Sequence, residues 1–363
     1  MTDEQTKKNI TVGDLPTEVH RFEDDVEKAR KAGDKAAEAE ALEWLAGSKY
    51  GMGQVEDGLT HMKDAVSLRR AIGDVTALGK ALMWYARMRR GTGEISSAYH
   101  PAEEAFKLLS VLDDVALAME SSIELASVMT ARAELPGALR TLRAVEKKIP
   151  DTAVVLDLSE GEYVRRHFPI FYRDLAIAAQ ACGDWEGAAN AWKVCRAWFD
   201  GIGEAGEAMM ARFAQAPLYD QAGQHKKALE AWFEVISLAR EAGDKQTEAQ
   251  CYAALATVAL REQMRDKALE WATYARSLAL QHVDPLTYVN STAVLAECYD
   301  HQGLRTRAFE LMANARSLLE DSMGLEAADG FLSLLEGSFK KRWGQDTWDK
   351  IAASRGPKKN DVQ

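Results

Sequence analysis

The 363-residue chain holds only 8 prolines and 4 cysteines, and no apolar run long enough for a membrane span. Scarce proline leaves long stretches free to be helical. The cysteines, Cys182, Cys195, Cys251 and Cys298, never occur as C-x-x-C, so neither a dithiol redox motif nor a cysteine-rich zinc site is written in the spacing. Without roughly 18 consecutive apolar residues, no membrane helix is expected. Positive charge is in deficit: 45 Lys and Arg face 56 Asp and Glu, a net charge of −11. That balance argues against nucleic acid or an anionic membrane as a general partner. The opening MTDEQTKKNITVGDLP lacks the apolar core of a secretory signal. A cytoplasmic location with four reduced, packed thiols is therefore expected, and the glycosylation sequons at Asn9 and Asn290 read as chance matches.

Signatures of catalysis are equally scarce. The seven histidines lie far apart, none in H-x-x-x-H spacing. G-x-x-x-x-G-K-[ST] and G-x-S-x-G are absent. No catalytic residue, cofactor site or metal site is assigned, and the expectation is that the protein is not an enzyme. One stretch points the other way. In FDGIGEAGEAMM, residues 199–210, Gly201, Gly203 and Gly206 spell G-x-G-x-x-G, the dinucleotide fingerprint. That fingerprint needs a strand before it. What precedes it is NAWKVCRAWFD, whose Trp192, Cys195 and Phe199 share one helical face. The glycines are read instead as a helix-ending junction: Gly201 and Gly203 stop one helix, Glu204 opens the next, and Gly206 falls in its first turn.

What the chain has in abundance is helix-forming residues arranged with a period. Gly33-Asp34 and Gly73-Asp74 are 40 residues apart, as are Gly203-Glu204, Gly243-Asp244 and Val283-Asp284. Half a period away run Gly13, Gly53, Gly93 and Ala133, then Gly183, Gly223, Gln263 and Gly303. The jump from Ala133 to Gly183 is 50, so one repeat carries ten extra residues. Two small-residue series fix the register: Ala46, Ala86, Ala126, Ala176, Ala216, Ala256 and Ala296; and Gly58, Ala98, Ala138, Ala188, Ala228, Ala268 and Ala308. A small residue at a fixed point on each of two helices means that they cross there at close range. Each unit reads as an Asp-capped first helix, a glycine turn and an amphipathic second helix. One such hairpin cannot bury its apolar face alone, whereas a stack can.

The pattern resembles the tetratricopeptide repeat. Leu45-Ala46, Leu125-Ala126, Leu175-Ala176, Leu255-Ala256 and Leu295-Ala296 match the small residue after leucine in the family's first helix. The turn glycine is matched at Gly53, Gly93, Gly183, Gly223 and Gly303. The second-helix alanine with a large residue four later is matched by Ala188 with Trp192, Ala228 with Trp232 and Ala308 with Met312. The 40-residue step is similar to the longer-helix variety found in spindle-orientation adaptors and bacterial peptide-sensing regulators. The resemblance implies an all-α, right-handed superhelical solenoid of about seven hairpins with a capping helix at each end. The expected divisions are a flexible 1–13, a cap helix and hairpins one to three over 14–148, and an irregular insertion over 149–162. Hairpins four to seven follow over 163–322, capping helices over 323–353, and a disordered tail over 354–363.

The resemblance also implies where function sits: the first helices line a concave groove that binds a partner segment. Their exposed faces, read from the register, include Met83, Ile123, Ile170, Ile177, Met210, Phe213 and Leu260, an apolar middle. Arg87, Arg90 and Arg173 would add a basic spot suited to an acidic partner. Glu120 is placed on the same exposed face. Trp44 and Trp84, 40 apart, are read as core rather than groove. In the three-helix slots where chaperone-binding members of the family hold a C-terminal carboxylate, the chain has Glu43, Gly47, Trp84, Glu120 and Glu124, which argues against that subtype. The expected function is a non-catalytic scaffold binding a protein or peptide; a regulator sensing a small peptide or apolar ligand is the alternative. A homodimer contact over the same residues is the competing account of the apolar stripe. With roughly 13 residues before the first helix, no DNA-binding helix-turn-helix is expected there.

Overall fold

The computed structural model describes residues 15–150 and 162–354, and among them every regular element is a helix. Two compact units divide after Gly203. In the first, α1 (Leu15–Ala32) packs on α2 (Lys35–Gly51), and hairpins follow as α2 with α3 (Val55–Ile72), α4 (Val75–Gly91) with α5 (Ile95–Leu109), and α6 (Val115–Ala131) with α7 (Leu135–Glu146). The fourth hairpin is α8 (Glu162–Ala181) with α9 (Trp185–Ile202), and α8 also packs on α6 and α7. The expected insertion at 149–162 lies almost wholly outside the described residues, as do the chain's first 14 and last 9 residues. In the second unit α10 (Ala205–Gln221) pairs with α11 (His225–Ala242), α12 (Lys245–Arg261) with α13 (Arg265–Gln281), and α14 (Pro285–His301) with α15 (Arg305–Met323). The helices α16 (Leu325–Trp343) and α17 (Gln345–Ser354) follow on α15.

The periodic aspartates start the first helices. Asp34 accepts from the main-chain N–H of Ala36 and Ala37, both at 3.0 Å. Asp74, Asp114, Asp244 and Asp284 each accept one from the residue three ahead, also at 3.0 Å. These bonds satisfy donors that a helix leaves open at its start. Glu204 opens α10 without a side-chain cap, so its place in the series contributes charge at the N-terminus but no capping bond. Gly203, at φ 79°, ends α9 in the left-handed conformation, and helix precedes it where a dinucleotide fold would have a strand. Gly201 lies inside the last turn of α9 rather than ending it.

Both small-residue series are buried. The first-helix alanines are all between 0% and 4% exposed, and the second-helix alanines are all at 0%. Gly58 shows why size matters there: an added Cβ would lie 2.9 Å from the Ala46 carbonyl oxygen. Ion pairs tie successive hairpins at matching places. Arg30 Nε reaches Glu38 Oε1 at 2.6 Å in the first unit, and Arg240 Nε reaches Glu248 Oε1 at 2.6 Å in the second.

Several expectations change. Cys195, Cys251 and Cys298 are buried, but Cys182 sits exposed at the end of α8, where the helix gives way to the turn. Trp232 is buried, whereas Trp192, at the matching position 40 residues earlier, is only half-buried. Pro169 lies within α8, and its carbonyl faces the Cys195 Sγ at 3.6 Å.

Candidate functional site

The two units present different first-helix faces. In the first, the expected basic spot is neutralised from within. Arg90 grips Glu124 with Nε to Oε1 at 2.8 Å and Nη2 to Oε2 at 3.1 Å. Arg87 bonds Glu124 at 3.2 Å and Glu120 at 3.3 Å. Both carboxylates are buried, Glu124 at 2% exposure, which corrects the placing of Glu120 on the exposed face. A buried carboxylate keeps its charge only beside a cation, so these arginines are held by the core before any partner arrives. Arg87 also stacks over the Trp84 ring, 4.9 Å from its centroid. Arg173 is exposed but lies 3.3 Å from Asp174. Burial raises the Asp174 carboxyl above the usual range despite that neighbour.

Apolar expectations divide as well. Met83 is 1% exposed, packed among Leu59, Met62 and Leu82, and is core rather than groove. Ile177 is 50% exposed, while Ile123 and Ile170 are half-buried. The tryptophans reverse their expected roles: Trp44 is 55% exposed, stacked on Phe22 of α1 with centroids 6.1 Å apart, and Trp84 is 50% exposed.

In the second unit the first helices do form a concavity. A cleft of about 570 Å³ lies across α10, α12 and α14. Phe213 comes from α10; Gln250, Ala253, Ala254, Thr257 and Leu260 from α12; Leu286, Thr287, Asn290, Ala293, Val294 and Glu297 from α14. The volume falls in the range of ordinary ligand sites. Phe213 and Leu260 are thus brought together, and Met210 stands on the same helix as Phe213, 52% exposed. The Phe213 ring rests edge-on against the buried Trp232, centroids 5.3 Å apart, which fixes its position. The register reading missed Ala254, Leu286, Thr287 and Val294.

The polar groups around this cleft are mostly engaged. Both oxygens of Glu297 accept from Arg342, at 2.6 and 2.8 Å. Gln250 donates to Asp284 at 3.1 Å. Burial opposes ionisation of Asp284, but the bonds from Thr287 and Gln250 outweigh it and hold its carboxyl below the usual range. Near the other end of α10, Asp220 accepts from Arg261 and lies 2.8 Å from His225 Nδ1. Among the described residues no cluster of His, Cys, Asp or Glu has a metal-binding arrangement, and no helix is long and apolar enough to cross a membrane.

Comparison with known proteins bears on the fold. The family model for anaphase-promoting complex subunit 5 matches residues 45–92 and 164–263, less than half of the chain. No curated protein matches it. The apo form of RapI is similar in structure, with a TM-score of 0.56 at 12% identity, covering 93% of this chain and 86% of that one. A signal-transduction ATPase from Pyrococcus horikoshii with a tetratricopeptide repeat sensor is similar at a TM-score of 0.51 and 13% identity, covering 92% of this chain but 54% of that one. Identities this low establish the fold alone. With the 40-residue register, the paired helices and their crossing alanines, they show that the chain has a tetratricopeptide-type helical-repeat fold.

Proposed function

We propose that the protein is a non-catalytic scaffold of the cytoplasm that binds a segment of a partner protein or peptide on the first-helix faces of its hairpins. The cleft across α10, α12 and α14 carries this reading, because it is a concave, largely apolar surface formed by first helices. Exposed Met210, on α10 with Phe213, extends apolar contact beyond it. An acidic partner residue is now supported by Arg173 alone, since Arg87 and Arg90 already hold Glu124. The size of the cleft also favours a second reading, a sensor that takes up a small peptide or apolar ligand.

The test is selection from a random peptide display library on the full chain. Enriched peptides are then titrated against the wild type, Phe213→Asp and Arg173→Glu. Loss of at least tenfold in affinity with Phe213→Asp is expected. Equal binding by the wild type and Phe213→Asp sinks the reading, and self-association that displaces the peptides would mark the face as a homodimer contact.

A further inference from the structure

Side-chain size at two register positions creates the cleft of the second unit. One first-helix position holds Trp44, Trp84, Glu124 and Asp174 in the first unit, but Ala214, Ala254 and Val294 in the second. The position before it holds Glu43, Met83, Ile123 and Arg173 in the first unit, and Phe213, Ala253 and Ala293 in the second. Two of the helices compared, α4 and α12, match in length and cap: each runs 17 residues from an Asp that accepts a bond at 3.0 Å. The space arises from truncated side chains on an unaltered scaffold.

Charge decides what fits there. Glu297, the one ionisable residue lining the cleft, has both oxygens held by Arg342. The Thr257 and Thr287 hydroxyls are committed to the Ala253 carbonyl at 3.0 Å and to Asp284 at 2.8 Å. Asn290 is exposed, and its neutral amide has no partner among the described residues. A charged group entering would shed its water with no counter-charge to meet. An apolar group would lose nothing by the same move.

We infer that the cleft selects uncharged, apolar ligand groups: a neutral side chain of about phenylalanine or leucine size from a partner segment, with an amide or carbonyl against Asn290, and no carboxylate or ammonium group. This rests on the binding reading above and adds the chemistry of the bound residue.

The probes are acetyl-phenylalanine amide and its free acid, acetyl-phenylalanine, followed by saturation-transfer NMR on the full chain at pH 7. The amide is expected to bind, and the acid at least tenfold more weakly. Ala254→Trp places in the cleft the residue that α2 and α4 carry at that position, and Ala293→Met places there the residue of α4. Each should weaken amide binding at least tenfold with the helical circular dichroism unchanged; the two together guard against one of them misfolding. Acid binding as tight as the amide, undiminished binding to both folded variants, or no binding of the amide would overturn the inference. Binding that ignores charge yet still needs Phe213 defeats only this inference; peptide binding that ignores Phe213 defeats the functional reading itself.

Discussion

Replacing Val283 with glycine should make the second unit more stable, although it deletes an apolar side chain. Val283 occupies the place that Gly33, Gly73, Gly203 and Gly243 hold at other junctions, and it adopts the same left-handed backbone, φ 54°. For an L-residue that conformation costs about 1–2 kcal/mol, and a β-branched side chain suffers most. The side chain is 82% exposed, so little burial is lost with it. Glycine gives back about 0.4–1 kcal/mol through its freer unfolded chain. The net expectation is a gain of about 1 kcal/mol, or a rise of about 2–4 °C in melting temperature for a unit of this size. Urea unfolding and thermal melts followed at 222 nm measure it. Gly243→Val should move the same observables in the opposite direction. If Val283→Gly leaves the midpoint unchanged or lowers it, the junction is not strained as its backbone angle indicates.

Arg90→Ala should destabilise the first unit by about 3–5 kcal/mol, since it leaves the buried Glu124 short of its bidentate partner, with the remaining contact to Arg87 holding the loss toward the lower figure. Urea unfolding reads it, and a loss below about 1 kcal/mol would contradict the pairing. Glu248 is fully buried; burial opposes its ionisation, but bonds from Lys245, Arg240 and Tyr274 prevail and hold its carboxyl below the usual range. Its contribution is therefore present above about pH 4.3, the unfolded carboxyl's value, and is lost as pH falls through the lower folded value. Glu248→Gln should flatten the acid side of the stability profile, and an unchanged profile would contradict the assignment. With a thiol reagent at neutral pH, Cys182 should react quickly while Cys195, Cys251 and Cys298 stay protected until unfolding. Burial pushes the Cys195 and Cys251 thiols up to about 12, far from reactive thiolate. Rapid labelling of Cys195 in the native protein would contradict the packing of α8 on α9.

The period was legible because its markers are local. Asp34 caps its own helix and Gly73 turns its own chain, so spacing alone exposes them. The crossing alanines were legible for a related reason: a close approach at the same point in every repeat leaves the same residue each time. Sequence reasoning failed where the answer depended on residues a repeat away. Arg87 and Arg90 read as free cations because their partners lie 33 to 37 residues further on, in another helix. Met83 and Trp84 are adjacent, and about 100° of rotation on a helix separates core from surface; the register placed Met83 outward and Trp84 inward, and packing against Leu59 and Met62 settles it the other way. The cleft was half legible. Its walls, Phe213 and Leu260, stood out as apolar residues on an outward face, whereas its volume comes from Ala253, Ala254 and Ala293, which give no signal until compared with the tryptophans and methionine at the same positions.

The central claim is that partners are held by the first helices of the second unit rather than by its second helices. Hydrogen exchange read by mass spectrometry, with and without a saturating selected peptide, tests it directly. The account predicts new protection in segments covering Ala205–Gln221, Lys245–Arg261 and Pro285–His301. Protection gained instead over His225–Ala242, Arg265–Gln281 and Arg305–Met323 would contradict it.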